Sequence, residues 1–298
     1  EETIDTGGGG TVLEPDPGQK MTWQNAIDYC KSKGEGWRLP TQNELMYYWC
    51  VEPSIPADSK FEAADYWSAT ESSSNSSYVW YVYFRNGSTY CLSKINRRPV
   101  RCVRDKAQSE VKYPYVTVEN GGVIVVLRDE NGGIDEASLF SSRVTESKTG
   151  NEASADNRMS RKFRVQKSNP AKMSWSDAVS YCDNLTEEGY SDWRLPSQRE
   201  LMMIWLLGGS SNVTSGDKND TGVGNVSVPV NTPYIYQQSG FTAFSAGEYL
   251  SATEDSSSSS EVWNVFFSDG YTDFYSKVSG GSCLLYTSPS PRDISGSR

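Results

Sequence analysis

The feature that most constrains this chain is that much of it is written twice. MTWQNAIDYC at 21–30 returns as MSWSDAVSYC at 173–182, an offset of 152 residues. WRLPTQNELM at 37–46 returns as WRLPSQRELM at 193–202, an offset of 156. YWSATE at 66–71 and VWYVYFRNG at 79–87 return as YLSATE at 249–254 and VWNVFFSDG at 262–270, both at offset 183. Similar segments recurring in one order mean one folding unit used twice. The step from 156 to 183 places 27 extra residues of the second copy between its WRLP and SATE segments.

Each copy carries the same local instructions. Thr22 or Ser174 suits the N-cap of a helix. Behind it, Trp23, Ala26, Ile27 and Cys30 recur at helical spacing, as do Trp175, Ala178, Val179 and Cys182. Thr41 to Glu44 and Ser197 to Glu200 read as capping boxes opening a second helix. That helix buries Leu45, Met46 and Trp49, or Leu201, Met202 and Trp205. Farther on, Trp80, Val82 and Phe84 alternate with Tyr81 and Tyr83 as a half-buried strand. Asn86-Gly87 and Asp269-Gly270 are hairpin turns. The first copy closes on Val100-Arg101-Cys102-Val103-Arg104. Two short helices followed by a small antiparallel sheet make each copy α+β.

Composition removes whole classes of function. The 298 residues carry a formal charge of −10 and no histidine. The acidic balance argues against a nucleic-acid partner. Without histidine there are no His-based triads and no His-ligated zinc or haem. No apolar run reaches the ~18 residues of a transmembrane span. Gly7 to Gly10 is low complexity, not a phosphate loop; residues 1–20 read as an acidic, glycine-rich tether, of which Glu1 to Gly10 has nothing to bury. Such a tether suits the mature start of an exported or lipid-anchored protein, or equally a cloning boundary.

Residues 106–165 form a connector. Tyr115 to Val118 and Val123 to Leu127 read as strands joined at Asn120-Gly121-Gly122, and Asp129 to Gly133 as a turn. Residues 141–160 are polar. Phe163 and Val165 lead into the second copy as Val12 and Leu13 lead into the first. A separate small sheet and an extension of the second domain both fit.

Taken together, W-x-x-A-x-x-Y-C, G-W-R-L-P-T-x-x-E-L, Y-W-S-A-T-E, V-W-Y-V-x-F-x-N-G and V-R-C-V-R resemble the domain of unknown function 1566. That is the C-terminal domain of the Legionella collagen-like adhesin, and it is similar to the Fibrobacter succinogenes major paralogous domain. The resemblance covers residues 21–105 and 166–282. It implies two tandem C-type lectin-like domains of a bacterial secreted or cell-surface protein. It also implies a disulfide from the first helix to the last strand, Cys30 to Cys102. Closing 72 residues, that bridge stabilises by about 4 kcal/mol on the chain-entropy model. Cys50 and Cys91 are either a second bridge or thiols.

The last segment departs from the pattern. At offset 183 the V-R-C-V-R motif should follow Ser282, but the chain reads CLLYTSPSPRD from Cys283. The bases TGTCTCTTATACACATCT encode Cys-Leu-Leu-Tyr-Thr-Ser and look like the end of a transposon sequencing adapter. Residues 283–298 are therefore expected to be translated adapter, with the natural partner of Cys182 lost and Cys283 a coincidental substitute for it.

The expected function is binding of a glycan or protein ligand by the hairpin faces, without catalysis or cofactor. Positions that differ between the copies mark the outward face: Tyr81, Tyr83, Arg85, Tyr90 and Asn96 in one, Asn264, Phe266 and Asp273 in the other. Tyrosine and asparagine there suit adaptable contacts. Ser72 to Ser77 and Ser256 to Ser260 read as spacers. Asp217, Asn219 and Asp220 in the inserted loop are a weak oxygen-ligand candidate for a metal; the sugar-and-calcium motifs of the superfamily are missing. The alternatives are a structural adhesin component without a small ligand, a variable protein of a diversity-generating retroelement, and an enzyme on a formylglycine-generating-enzyme-like fold. Glu44 and Glu200 look like repeated carboxylates for the last, yet the capping boxes account for them.

Overall fold

The computed structural model describes residues 3–128, 157, 159–167, 170–209, 226–241, 244–283 and 286–287. The expected turn at Asp129 to Gly133, almost all of 141–160, and Asp217, Asn219 and Asp220 lie outside the described residues. So do Leu284, Leu285 and residues 288–298.

Among the described residues there are four α-helices, two per copy: α1 (Trp23–Ser32), α2 (Gln42–Val51), α3 (Trp175–Asn184) and α4 (Gln198–Leu206). The helical stripe of α1 buries Ala26 and Cys30, and that of α3 buries Trp175, Ala178 and Cys182. Ser174 caps α3 as expected, accepting from the Asp177 N–H, whereas the Thr22 side chain makes no cap bond on α1. Both capping boxes form. Their carboxylates serve a further purpose: Glu44 receives the Arg38 guanidinium through two bonds of 2.6 and 2.8 Å, and Glu200 receives Arg194 at 2.9 and 3.0 Å. The arginine of W-R-L-P thus clamps the helix that follows it.

The hairpin strands Asp65–Glu71, Tyr78–Tyr83 and Thr89–Ser93 form an antiparallel meander, repeated by Glu248–Asp255, Ser258–Phe266 and Thr272–Ser276. The two meanders join at a single antiparallel pair, Thr89 with Thr272. With Ser282–Cys283 alongside Tyr249 and Leu250 they make a seven-stranded sheet. One face carries Tyr66, Val82, Phe84, Tyr249, Val265 and Phe267 into a core shared with α2 and α4. On the other face α1 packs on Trp67 and Val79, and α3 on Leu250 and Val262. The molecule is therefore two α+β units sharing one core.

Smaller sheets close each unit in the same way. Val103–Asp105 pairs between Thr11–Leu13 and Trp37–Arg38. In the second copy Tyr286–Thr287 occupies the corresponding slot between Lys162–Val165 and Trp193–Arg194. The connector hairpin, Tyr115–Glu119 with Gly122–Val126, adds to Lys162–Val165 and so extends the second copy's sheet.

One expectation is corrected and one open alternative is resolved. Glu1 to Gly10 does bury groups: Ile4 and Thr6 are buried, and Ile4 pairs with Leu13, whose strand also brings the Thr11 hydroxyl to that of Tyr48 at 2.9 Å. Its apolar residues are few, but they complete the edge of a core that the sequence places far away. The Cys30–Cys102 disulfide is present, closing 72 residues, but Cys50 and Cys91 are not bonded to each other. Cys50 points from α2 into the shared core, with Sγ 3.6 Å from the Arg199 carbonyl and 3.9 Å from the Met202 sulfur. Cys91 lies on the hairpin.

Candidate functional site: the seam between the hairpins

The seam is built by reciprocal contacts. Gln42, the first residue of α2, donates from Nε2 to the carbonyl of Asp269 in the second copy's turn at 3.0 Å. Gln198, the first residue of α4, donates to the carbonyl of Asn86 in the first copy's turn at 2.9 Å. Both glutamines are buried, and their own N–H groups are held by Thr70 and Thr253 at 2.9 Å. The Thr89 hydroxyl adds a bond of 2.6 Å to the Gly270 carbonyl. Gly87 and Gly270 (φ +80° and +78°) press on Trp49 and Trp205, where a Cβ would come within 2.6 Å of the ring. Only glycine combines that backbone with that closeness. Each copy's second helix thus holds its partner's turn, and the two hairpins are locked edge to edge.

The expected ligand residues are distributed unevenly about this seam. Tyr90 is 56% exposed, and its ring lies 5.5 Å from that of Tyr271 across the junction. Arg85 is exposed. Phe266 is half-buried, with Tyr271 and Tyr275 at ring distances of 5.2 and 5.7 Å. Asp273 accepts from the Tyr271 hydroxyl at 2.7 Å. Tyr83 is half-buried. Asn96 sits in the turn beyond the hairpin, its amide donating to the Ser93 carbonyl. Tyr81 is half-buried against the Trp67 cluster, and its hydroxyl is pushed up to about 12 by burial, with Asp65 adding to the effect. Asn264 is corrected outright: it is fully buried and donates to Glu248. The period-2 pattern assigns sides properly, but the outer ends of the outward side are roofed by α1 and α3. The open part is the middle, at the seam.

A cleft of about 470 Å³ opens there. It is lined by Tyr78, Trp80, Tyr90 and Cys91 of the first copy and by Phe266, Asp269 and Tyr271 of the second. The loop Ser72 to Asn75, expected to be a spacer, lines it as well. It is folded: Ser72 is buried and its N–H donates to the Tyr78 carbonyl, the Tyr78 N–H donates to the Asn75 carbonyl, and the Asn75 side chain accepts from the Ser77 N–H.

The cleft's electrostatics are those of a neutral-to-acidic pocket. Neither lysine nor arginine lines it. Burial raises the Asp269 carboxyl above its ordinary range, with the Tyr271 N–H opposing. Burial pushes the Cys91 thiol up to about 11 against a hydrogen bond from Ser72. Trp80 is 6% exposed, and its indole N–H meets no acceptor among the described residues. A buried donor of that kind costs free energy until it is paired.

Sequence reasoning did not find Gln42, Gln198, Cys91, Asp269 or Tyr271. The glutamines had a signal, since each follows the cap residue in both copies. The others matter only because the two hairpins meet. Among the described residues no group of three or more Cys, Asp or Glu side chains is placed to hold a metal ion.

Comparison with known families gives one result: residues 7–104 and 148–285 each match the family model described as the Lcl C-terminal domain. No curated protein matches the chain.

Proposed function

The chain belongs to the Lcl C-terminal domain family in both of its halves, and from that premise we propose that it is an extracellular, surface-exposed binding protein of adhesin type. The family and the Cys30–Cys102 disulfide point to an extracellular or surface protein, since such bridges persist in oxidising compartments. No helix among the described residues is long and apolar enough to cross a membrane. We read each copy as a C-type lectin-like domain, on the strength of two short helices and a hairpin sheet in both and, in the first, a disulfide running from the first helix to the closing segment. Recognition is assigned to the seam, for a glycan or protein ligand, and catalysis to neither copy. Glu44 and Glu200, the repeated carboxylates, are engaged by arginine and by backbone N–H groups.

The observation that carries this reading is the aromatic surface shared by the two hairpins, with Tyr90 of one copy against Tyr271 of the other. Aromatic side chains give large contact areas for little rotamer entropy, and they dominate binding hot spots. A glycan array run beside a pull-down from host and bacterial surface proteins tests it. Wild-type protein should retain a ligand that a Tyr90→Ala/Tyr271→Ala variant loses. Equal retention by both would remove the seam from the account.

A further inference from the structure

The two copies supply the same positions to two places beside the seam, and only one of those places is built as an aromatic cleft. The offset of 183 pairs each cleft residue with its counterpart. Tyr78 corresponds to Glu261, Tyr90 to Asp273 and Cys91 to Phe274; Tyr271 corresponds to Ser88. Three aromatic positions of the cleft are therefore carboxylates or a hydroxyl on the other side. The small Cys91 beside Trp80 is there replaced by Phe274, whose ring meets that of Trp263 edge-on at 5.4 Å. The first position is open and aromatic; the second is filled and acidic.

We infer that the cleft on the first copy's side of the seam is a single-occupancy subsite for an uncharged sugar ring. The inference rests on the reading of the seam as the binding surface and adds the ligand's chemistry. A pyranose has weakly polar C–H faces for aromatic walls, and hydroxyls round its edge that both donate and accept. Tyr90 and Tyr271, whose rings meet at 5.5 Å, together offer one such aromatic wall. The serine hydroxyls of the 72–75 loop and the Asn75 amide are neutral partners in the lining, and the Trp80 indole N–H, itself buried, has no acceptor among the described residues. With Asp269 in the wall and no cation to answer a sulfate or carboxylate, an anionic sugar would enter against both repulsion and desolvation. A volume of about 470 Å³ holds one or two rings.

The test is calorimetric titration of the full chain with neutral gluco-, manno-, galacto- and N-acetylglucosamine oligosaccharides, beside a sulfated oligosaccharide. Two variants write into the first copy what the second already carries: Cys91→Phe and Tyr90→Asp. At least one neutral oligosaccharide should bind with one site per chain, and both variants should weaken it at least about tenfold. The sulfated probe should bind about tenfold or more weakly than the best neutral one. Phe274→Cys should leave the affinity unchanged. Melting curves check folding, and Tyr90→Asp decides the matter if Cys91→Phe does not fold. Neutral binding that survives both variants, two sites per chain, or preference for the sulfated probe overturns the subsite while leaving the seam standing. If no neutral oligosaccharide binds while a protein is retained through Tyr90 and Tyr271, the sugar assignment alone falls. If nothing is retained, both readings fall.

Discussion

Where the first copy carries Cys91, the second carries Phe274, and this exchange changes what each hairpin can do. In the second copy the half-buried phenylalanine meets Trp263, which is 3% exposed, edge-on and so occupies the place beside it. In the first copy the smaller cysteine leaves Trp80 as part of a cleft wall, with its indole N–H unsatisfied. The scaffolds are otherwise matched closely: the Gln42 and Gln198 bonds, the glycine turns on Trp49 and Trp205, and the tryptophans of α1 and α3 bonded to the Ser68 and Ser251 carbonyls. Duplication has preserved what holds the copies together and has altered what lies beside the seam. One copy keeps an opening and the other fills it.

That contrast can be broken most severely at the tryptophans. Trp80→Ala and Trp263→Ala should each cost about 3–5 kcal/mol by denaturant unfolding. The second should be the larger by about 1 kcal/mol, because it also loses the aromatic contact with Phe274. A larger cost at Trp80 would mean that the cleft is not the weak side. Cys30→Ser should remove about 2–4 kcal/mol, and reducing agent should reproduce that loss in the wild type but not in the variant.

Smaller changes sharpen the symmetric part. Gln42→Ala and Gln198→Ala each leave a turn carbonyl without its donor, and each should cost about 1–3 kcal/mol. A cost at one glutamine alone would contradict the reciprocal lock. Cys91, its thiol pushed up to about 11, should react slowly with iodoacetamide at pH 8. Cys50, pushed up to about 12 by burial, should stay unlabelled until the chain unfolds, because the thiolate is the reactive form. Mass spectrometry of the labelled peptides distinguishes the two. Tyr90→Ala should shift stability by less than about 0.5 kcal/mol while removing ligand.

The repeated segments made the secondary structure of each copy readable in advance. Capping boxes at Thr41 and Ser197 are local, as is the alternation of Trp80, Val82 and Phe84, and local rules suffice for both. Thr22 shows the limit: its residue type suits a cap, but its side chain makes no cap bond. Asn264 shows another, since alternation tells which side of a sheet a residue takes and says nothing of what covers that side. The leading segment misled because Ile4 docks on structure that the chain forms later. The cleft was the least legible part. It exists only where two hairpins meet at Thr89 and Thr272, and no local pattern announces pairing between residues 183 positions apart.

The central claim is that the two copies form one body joined at that pair, and a cross-link tests it most directly. Paired residues of antiparallel strands have Cα atoms about 4.5–5.5 Å apart, within the span of a disulfide. Cysteines at Thr89 and Thr272, in a chain with Cys91→Ser to prevent mispairing, should oxidise spontaneously and appear as one linked peptide under non-reducing digestion. Recovery of both as unlinked thiols from folded, monomeric protein would contradict the joined seam and the shared binding surface built on it.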